Sequence, residues 1–365
     1  MTDEPPALVW PRLLELPSDT VNVVYLDLNH WIHLAQASVG HSKGSSFTKA
    51  LEACRAARLA SSALFVLSST HYFEVSKIKD PEQRRALADI MEELTGFATL
   101  VSRDVVMGLE LAAMLDRFAK EPSSLPNVSL IGRGVGHAFG LKNAIKIARP
   151  LGSATDRAQQ RMGPEASDDF IAQVPLLFER SLLRGPTGKE VEDLRKRGWN
   201  PEAAMQVAET RAAEEREQRL RFDAQNRWRR GRLRDVVAAR ELSIEFRDIF
   251  PRALKERGLM QADVLQDRQS ARAFVRGMPS TEVAIELKTA WHRNRDKHWT
   301  VNDIQDIDAM SLAVPYCDIV VSDKACHQAL AAAHLGKRMN TVLLWSLEDL
   351  PNTLAQWKPK RPPAD

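Results

Sequence analysis

The sequence predicts an α/β protein in which helices flank a parallel sheet, and three observations support this prediction. Short β-branched apolar runs alternate with amphipathic stretches near both ends of the chain, which is typical of βαβ units. Between about 165 and 295, the chain has long charged helical stretches and almost no strand-like run. The composition, with 44% hydrophobic and 27% charged residues, is ordinary for a globular protein. We therefore expect an α/β core that a large, mostly helical insertion interrupts.

The first predicted strand comes from the run VNVVYLDLN (21–29), which ends at Asp27. Asn29 is placed to cap the helix that follows. Two further apolar runs lie downstream and are again separated by amphipathic stretches. The remaining elements of this half are strands predicted within 63–70 and 97–102 and helices predicted at 30–38, 47–60, 71–78, 81–96 and 104–119.

The same alternation returns near the C-terminus, after a long stretch without strands. Residues 121–160 mix proline, glycine and serine and are predicted to form a loop or linker. We assign 1–120 and 301–365 to the two halves of the core, and 121–300 to the helical, partly basic insertion. The second half comprises helices predicted at 303–314 and 324–335 and strands predicted at 318–322 and 340–345.

The composition also indicates the compartment. The cysteines Cys54, Cys317 and Cys326 have no C-x-x-C spacing, which indicates reduced thiols and neither a disulfide framework nor a zinc site. The apolar runs are strand-sized, and the N-terminus carries acidic residues and prolines where a signal peptide needs a basic start. We therefore expect a cytoplasmic protein without a membrane segment. The net charge of +3 is too small to indicate nucleic-acid binding by itself.

Five acidic residues occupy positions from which they can meet. Asp27 ends the first strand, and Asp323 ends the strand predicted at 318–322. Glu74 follows the second strand, on a helix that a serine or threonine at 69 or 70 would cap. Asp303 and Asp306 are i, i+3 neighbours at a helix start and share one face. Because ligands bind outside the carboxyl ends of parallel strands, we expect these acids to converge on one edge of the sheet.

Crowded carboxylates repel and raise one another's pKa values unless a cation neutralises them. Oxygen ligands suit Mg²⁺ or Mn²⁺, which activate water and stabilise the leaving oxygen in phosphodiester cleavage. A single aspartate at a helix start is more often a cap, and we interpret Asp308 in that way and Asp318 as a turn residue. The combination of acids at matching ends of successive βα units favours a metal site.

Three stretches, VVYLDLNHWIHLA, STHYFEVSKI and DIQDIDAMSLAVPYCDIVVSDK, resemble the PIN and PIN-like nuclease family. Members carry an aspartate after the first strand, a glutamate on a following helix, an aspartate opening a later helix and an acid after the next strand. The resemblance therefore implies a PIN-like parallel sheet. The residues that it implies to be catalytic and to bind metal are Asp27, Glu74, Asp306 and Asp323, with Asp303 as an additional metal ligand.

The family implies metal-dependent cleavage of RNA by a toxin, an RNA-processing enzyme or a defence effector. We expect an endoribonuclease that uses Mg²⁺ or Mn²⁺ and leaves 5′-phosphate and 3′-hydroxyl ends. Its expected partners are an RNA substrate and, further, a cognate inhibitor or partner protein. Two alternatives stay open: a catalytically silent PIN-like binding or regulatory protein, and a metal-dependent phosphohydrolase. A phosphohydrolase of the D-x-D type would want a second aspartate where Asn29 stands.

A basic segment lies inside the predicted insertion. The stretch RLRFDAQNRWRRGRLR (219–234) carries seven arginines against one aspartate, with Phe222 and Trp228 interleaved. Such a stripe can follow a phosphate backbone while Trp228 stacks on a base. The alternative is a solvated helix face that pairs with neighbouring glutamates. The predicted nucleic-acid contacts are Arg227, Trp228, Arg229, Arg230 and Arg232.

Overall fold

The computed structural model describes residues 6–122, 124–140, 176–186, 188–196, 201–225 and 227–356. Helices flank parallel strands in it, so the predicted α/β class is confirmed. Residues 141–160 of the predicted linker lie outside the described ranges. Within the described ranges, no helix combines the length and the apolar character that a membrane crossing requires.

The strands are short, and most follow the predicted apolar runs. In chain order they are β1 (Leu14–Glu15), β2 (Asn22–Leu26), β3 (Ala63–Val66), β4 (Ala98–Leu100), β5 (Val128–Ser129), β6 (Ile131–Arg133), β7 (Ile319–Val321) and β8 (Val342–Leu344).

Helices make up most of the remaining described chain. They are α1 (Leu28–Ser38), α2 (Thr48–Leu59), α3 (Ser69–Ser76), α4 (Pro81–Thr95), α5 (Arg103–Asp116), α6 (Gly134–Ala138), α7 (Gly188–Lys196), α8 (Pro201–Ala224), α9 (Leu233–Ile244), α10 (Ile249–Glu256), α11 (Gln261–Val264), α12 (Arg268–Gly277), α13 (Pro279–Arg293), α14 (Val301–Tyr316), α15 (Lys324–Ala332), α16 (Leu335–Met339) and α17 (Leu350–Gln356). A 3₁₀-helix at Ser42–Phe47 and a helical segment at 176–184 complete the set.

Three local predictions were wrong. The helix α1 begins at Leu28, so Asn29 lies inside it and does not cap it. The N-cap of α3 is Ser68, one residue before the expected position, because its side chain and that of His71 form a reciprocal capping box. The predicted linker contains β5, β6 and α6 within 128–138.

The contacts divide the chain into two compact units. The first unit comprises Met1–Asp27, Arg103–Leu130 and Pro201–Asp365, and the second comprises Leu28–Ser102 and Ile131–Asn200. The division predicted near 120 and near 300 stays a prediction.

In the first unit, β2, β7 and β8 pair in parallel in that order. The register places Leu26 beside Val321, and Val321 beside Leu344. Asp318 fixes the start of the β2–β7 pair, because its Oδ2 accepts from the backbone N of Val23 at 2.7 Å. Its own N–H donates to the Val23 carbonyl at 2.9 Å, so Asp318 is a strand-pairing residue as well as the residue before β7.

The predicted insertion supplies an apolar cluster to the first unit. Phe246, Phe250 and Phe274 pack there against Met107 and Leu111 of α5. The long helix α13 packs against α9, α12 and α14 and is almost fully buried along its length. The helices between 201 and 293 therefore share one core with α5.

In the second unit, β4 pairs antiparallel with β6, and a parallel bridge joins Leu67 to Thr99. The helix α1 packs against α2 and α4. Two ion pairs hold the helical segment at 176–184 to α4, namely Arg180 with Glu92 and Arg184 with Asp89 at 2.5 Å.

A buried carboxyl group joins three helices of the first unit. Glu110 of α5 is fully buried and accepts from the Ser280 N–H at 2.9 Å, the Ser280 hydroxyl at 2.6 Å and the Tyr316 hydroxyl at 2.5 Å. Burial raises the pKa of Glu110 to about 7, although the hydrogen bonds from Ser280 and Tyr316 favour the charged form.

This raised pKa predicts a pH-dependent stability. Between the unfolded pKa of about 4.3 and the folded value of about 7, the folded protein binds a proton that the unfolded chain has released. The free energy of unfolding should therefore fall as pH rises through this window, by up to about 1.4 kcal/mol per pH unit. Urea unfolding between pH 5 and 8 should show this fall in the wild type and lose it in Glu110→Gln. The exposed control Glu256→Gln should behave as wild type, and equal slopes in all three proteins would contradict the assignment.

Candidate metal centre

Two neighbouring parallel strands end at the candidate site. The N–H of Asp27 donates to the carbonyl of Val321 at 2.9 Å, which extends the β2–β7 ladder by one residue. Asp323 follows Val321 after a single intervening serine. The side chains of Asp27 and Asp323 are thus attached to adjacent strand ends, where ligands bind in parallel sheets. Asp27 is buried, with 8% of its surface exposed.

Asp323 is also the N-cap of α15. Its Oδ1 accepts from the backbone N–H groups of Ala325 at 2.6 Å and Cys326 at 2.9 Å. These amides and the positive end of the helix dipole stabilise a carboxylate at this position. The cap fixes the position of the carboxylate.

Asp306 reaches the site from α14, which begins with a capping box between Thr300 and Asp303. Ligand atoms of Asp306, Asp323 and Cys326 all lie within 4.8 Å of one another. Within the described ranges, these three side chains form a group that could hold a metal ion. The structure therefore brings together two of the predicted ligands and adds a thiol.

The pKa of the Cys326 thiol depends on the negative charge of this group. Cys326 is buried, with 1% of its surface exposed. Burial raises its pKa well above the ordinary value, and the negative charges of Asp306, Asp323 and Asp27 raise it further. The thiol also hydrogen-bonds the Asp323 side chain. The protonated thiol is a poor nucleophile, and the carboxylates around it create a field that attracts cations.

Cys326 was not among the predicted site residues. The sequence indicates only that it is a reduced thiol. The available signal was its position three residues after Asp323, in the first turn of a helix that Asp323 caps.

Asp303, the predicted additional ligand, is engaged elsewhere. Its Oδ2 accepts from the N–H and the hydroxyl of Thr300, both at 2.8 Å. Its Oδ1 accepts from the Trp291 indole at 3.1 Å and pairs with Lys297. These contacts cap α14, and Asp303 is not a member of the group formed by Asp306 and Asp323.

Glu74, the other predicted ligand, belongs to the second unit. It lies on α3, after β3, and its side chain is half-buried. Its part in the metal site stays a prediction from the resemblance.

The interpretation of Asp308 as a helix cap was wrong. The helix α14 begins at Val301, so Asp308 lies well inside it. Its carboxylate pairs with Arg211 at 2.6 and 2.9 Å and with Arg103 at 3.3 Å. Asp308 therefore joins α14 to α8 and α5 through charge-assisted hydrogen bonds.

The basic segment 219–234 is not one continuous helical stripe. The helix α8 ends at Ala224, and residues 227–231 form a turn. Arg229 pairs with Asp223 at 2.6 Å and donates to the carbonyl of His292. Trp228 packs edge to face on Phe222, with ring centroids 6.3 Å apart. Both side chains therefore already serve local packing.

Of the remaining predicted contacts, Arg227 and Arg230 are exposed on this turn, and Arg232 is exposed directly after it. Arg219, Arg221 and Arg234 pair or hydrogen-bond within the first unit. The exposed arginines at the turn are therefore available to contact phosphates. The arginines on either side of it are paired, as the alternative of a solvated helix face predicts.

The donor set fits a hard divalent cation. Carboxylate oxygens are the ligands that Mg²⁺ and Mn²⁺ prefer, and a protonated thiol does not compete with them. Asp306 and Asp323 would hold such an ion, with Asp27 close enough to influence the same thiol.

No protein-family model, no curated protein and no solved structure matches the chain. A function must therefore be inferred from the chemistry of the carboxylate group.

Two variants of Asp323 should separate its capping role from its charge. Asp323→Asn retains a side-chain acceptor for the α15 amides, whereas Asp323→Ala removes it, which costs about 1 kcal/mol. Both variants remove the same negative charge. In urea unfolding with EDTA, we expect Asp323→Asn to be more stable than the wild type, because repulsion from Asp27 and Asp306 is relieved. Asp323→Ala should be about 1 kcal/mol less stable than Asp323→Asn. A metal-free Asp323→Asn less stable than the wild type would show that the carboxylates do not repel one another.

Proposed function

We propose that the chain is a metal-dependent nuclease with a PIN-like fold, and that it is an endoribonuclease. One observation carries this proposal. Asp306 and Asp323 have ligand atoms within 4.8 Å of each other, beside the ends of β2 and β7, and Asp27 acts on the same buried thiol. The resemblance of the segments around these aspartates to the PIN-like family supports the choice of RNA.

The chain's own residues supply fixed positions for an ion. Asp27 follows a strand whose residues are all buried, and its backbone continues the ladder with β7. Two backbone amides hold Asp323. When bound, Mg²⁺ or Mn²⁺ would neutralise these carboxylates, activate water and stabilise the departing 3′ oxygen of a phosphodiester. The products would carry 5′-phosphate and 3′-hydroxyl ends, and no histidine base is required.

Glu74 is the fourth acid of the proposed set. Its assignment follows from its sequence position after β3 and from the family pattern. The compartment proposed is the cytoplasm, because Cys54, Cys317 and Cys326 are buried and do not form disulfides.

Binding of the metal should be visible without catalysis. A ligand that binds only the folded state raises the melting temperature. Mn²⁺ should therefore raise the melting temperature of the wild type and of the control Asp296→Asn, whose side chain is exposed on the loop before α14. It should raise that of Asp306→Asn little or not at all. An equal rise in Asp306→Asn would remove this residue from the site.

Cleavage of labelled single-stranded RNA in Mn²⁺ tests the activity. Loss of a metal ligand costs several kcal/mol of transition-state stabilisation, and each 1.36 kcal/mol is tenfold in rate. Asp27→Asn and Asp306→Asn should therefore cleave at least about a hundredfold more slowly than the wild type, whereas Asp296→Asn should match it. Glu74→Gln should fall with the first group if it belongs to the site.

Three other outcomes would contradict the proposal. An absence of metal-dependent cleavage on several RNA and DNA substrates would indicate a silent binding protein. Release of free phosphate in place of oligonucleotides would indicate a phosphohydrolase. Equal activity of the wild type and Asp306→Asn would place the chemistry elsewhere.

A further inference from the structure

A cationic groove of about 760 Å³ lies in the first unit, away from the carboxylate group. This volume is within the range of ligand sites. One carboxylate, Glu286, lines it. The cationic side chains that line it are Arg234, Arg276, Arg293, Lys337 and Arg338.

A buried carboxylate beneath the groove organises three of these cations. Oε1 of Glu282, which is fully buried, pairs with Arg234 at 2.8 Å, with Arg276 at 3.1 Å and with Arg338. Because Arg234 also pairs with Glu286, the three guanidinium groups share two carboxylates, and their positive charge is only partly neutralised. Burial, followed by repulsion from Arg276 and Arg338, lowers the pKa of Arg234 despite its pairing with Glu282.

The other two cations are unpaired. Arg293 ends α13 and Lys337 lies on α16, and both are exposed. The side chain of neither residue makes an ion pair or a hydrogen bond with a residue of the described ranges. Exposed cations of this kind are free to contact an anion.

The turn of the basic segment borders this groove. Arg229 donates to the carbonyl of His292, which directly precedes Arg293. Arg232 is exposed and lies two residues before Arg234, which lines the groove. The exposed arginines of the turn therefore extend the positive surface beyond the groove.

The rest of the groove lining is His334 and four small alanine side chains. Ala290, Ala329, Ala332 and Ala333 form part of its wall, which leaves room for a backbone to lie against the cations. Among the described residues that line it, none has a Phe, Tyr or Trp side chain that would stack on a base. Such a surface contacts phosphates and does not distinguish bases.

One helix connects the groove with the carboxylate group. Asp323 caps the N-terminus of α15, and Ala329 and Ala332 line the groove toward its C-terminus. The nine residues of α15 span about 13 Å at 1.5 Å per residue. About four stacked nucleotides cover this distance at about 3.4 Å each.

We propose that the cationic groove binds successive phosphates of single-stranded RNA about four nucleotides from the carboxylate group. This proposal rests on the proposed nuclease function, because it assigns the groove to the same substrate. The guanidinium groups of Arg234 and Arg338, which already pair with Glu282, would attract the phosphates electrostatically. Arg293 and Lys337 would add contacts at the rim.

Binding in the absence of divalent metal tests the groove separately from cleavage. Fluorescence anisotropy with a labelled 12-nucleotide RNA in EDTA would compare the wild type with Arg293→Gln/Lys337→Gln. The matched control is Arg252→Gln/Lys255→Gln, which removes the same charge from exposed positions on α10 of the same unit. Each lost contact should flatten the slope of log K against log salt by about 0.7, so two contacts correspond to a loss of about 25-fold at ~0.1 M salt.

We expect this loss in the groove variant and near-wild-type binding in the control. Equal losses in both variants, no loss in the groove variant, or no RNA binding by the wild type would each overturn the proposal. Sodium phosphate should displace the RNA no better than sodium chloride of equal ionic strength. Selective displacement by phosphate would overturn the proposal and assign the groove to a small phosphorylated ligand.

Cleavage in Mn²⁺ distinguishes the two proposals. If the groove variant loses RNA binding and no metal-dependent cleavage occurs, the proposal for the groove stands and the proposed nuclease function is wrong. If metal-dependent cleavage occurs and Arg293→Gln/Lys337→Gln binds RNA as the wild type does, the proposed nuclease function stands and the proposal for the groove is wrong.

Discussion

The parallel pairing of β2 with β7 is the constraint on which the candidate site depends. Leu26 lies beside Val321, and the Asp27 N–H continues the ladder onto the Val321 carbonyl. Because both strands run in the same direction, the acids that follow them emerge at one edge. A shift of one residue in this register would turn each side chain to the opposite face of the sheet. The bond from Val23 to the Asp318 carboxylate opposes such a shift from the other end of the pair.

The contacts that the helices make determine which acidic side chains are available at that edge of the sheet. On α14, Asp303 contacts Thr300 and Trp291. Asp308 pairs with Arg211 and Arg103. Asp306 lies with Asp323 and Cys326. The three aspartates on one helix therefore have three different tasks. Carboxylates crowded around a protonated thiol repel one another unless a cation neutralises their charge, and this is the physical reason for expecting a cation.

Much of the fold was predictable from the sequence because its signals are local. The runs that form β2 and β7 are short, apolar and wholly buried, and the amphipathic stretches between them have helical period. The adjacency of Asp27 and Asp323 followed from the rule for parallel strand ends. The division of tasks between Asp303 and Asp306 did not, because it depends on an indole twelve residues away along the chain. The packing of Trp228 and the pairing of Arg229 likewise depend on contacts with Phe222 and with the carbonyl of His292, which a charge pattern does not reveal.

The central claim is that Asp306 and Asp323 hold a divalent cation. Crystals of the wild type grown in Mn²⁺ and measured at the manganese absorption edge would locate the ion directly. We predict an anomalous peak within about 2.0 to 2.3 Å of carboxylate oxygens of both residues. A structure at saturating Mn²⁺ without a peak between them, or with its peak on Asp303 alone, would contradict the claim.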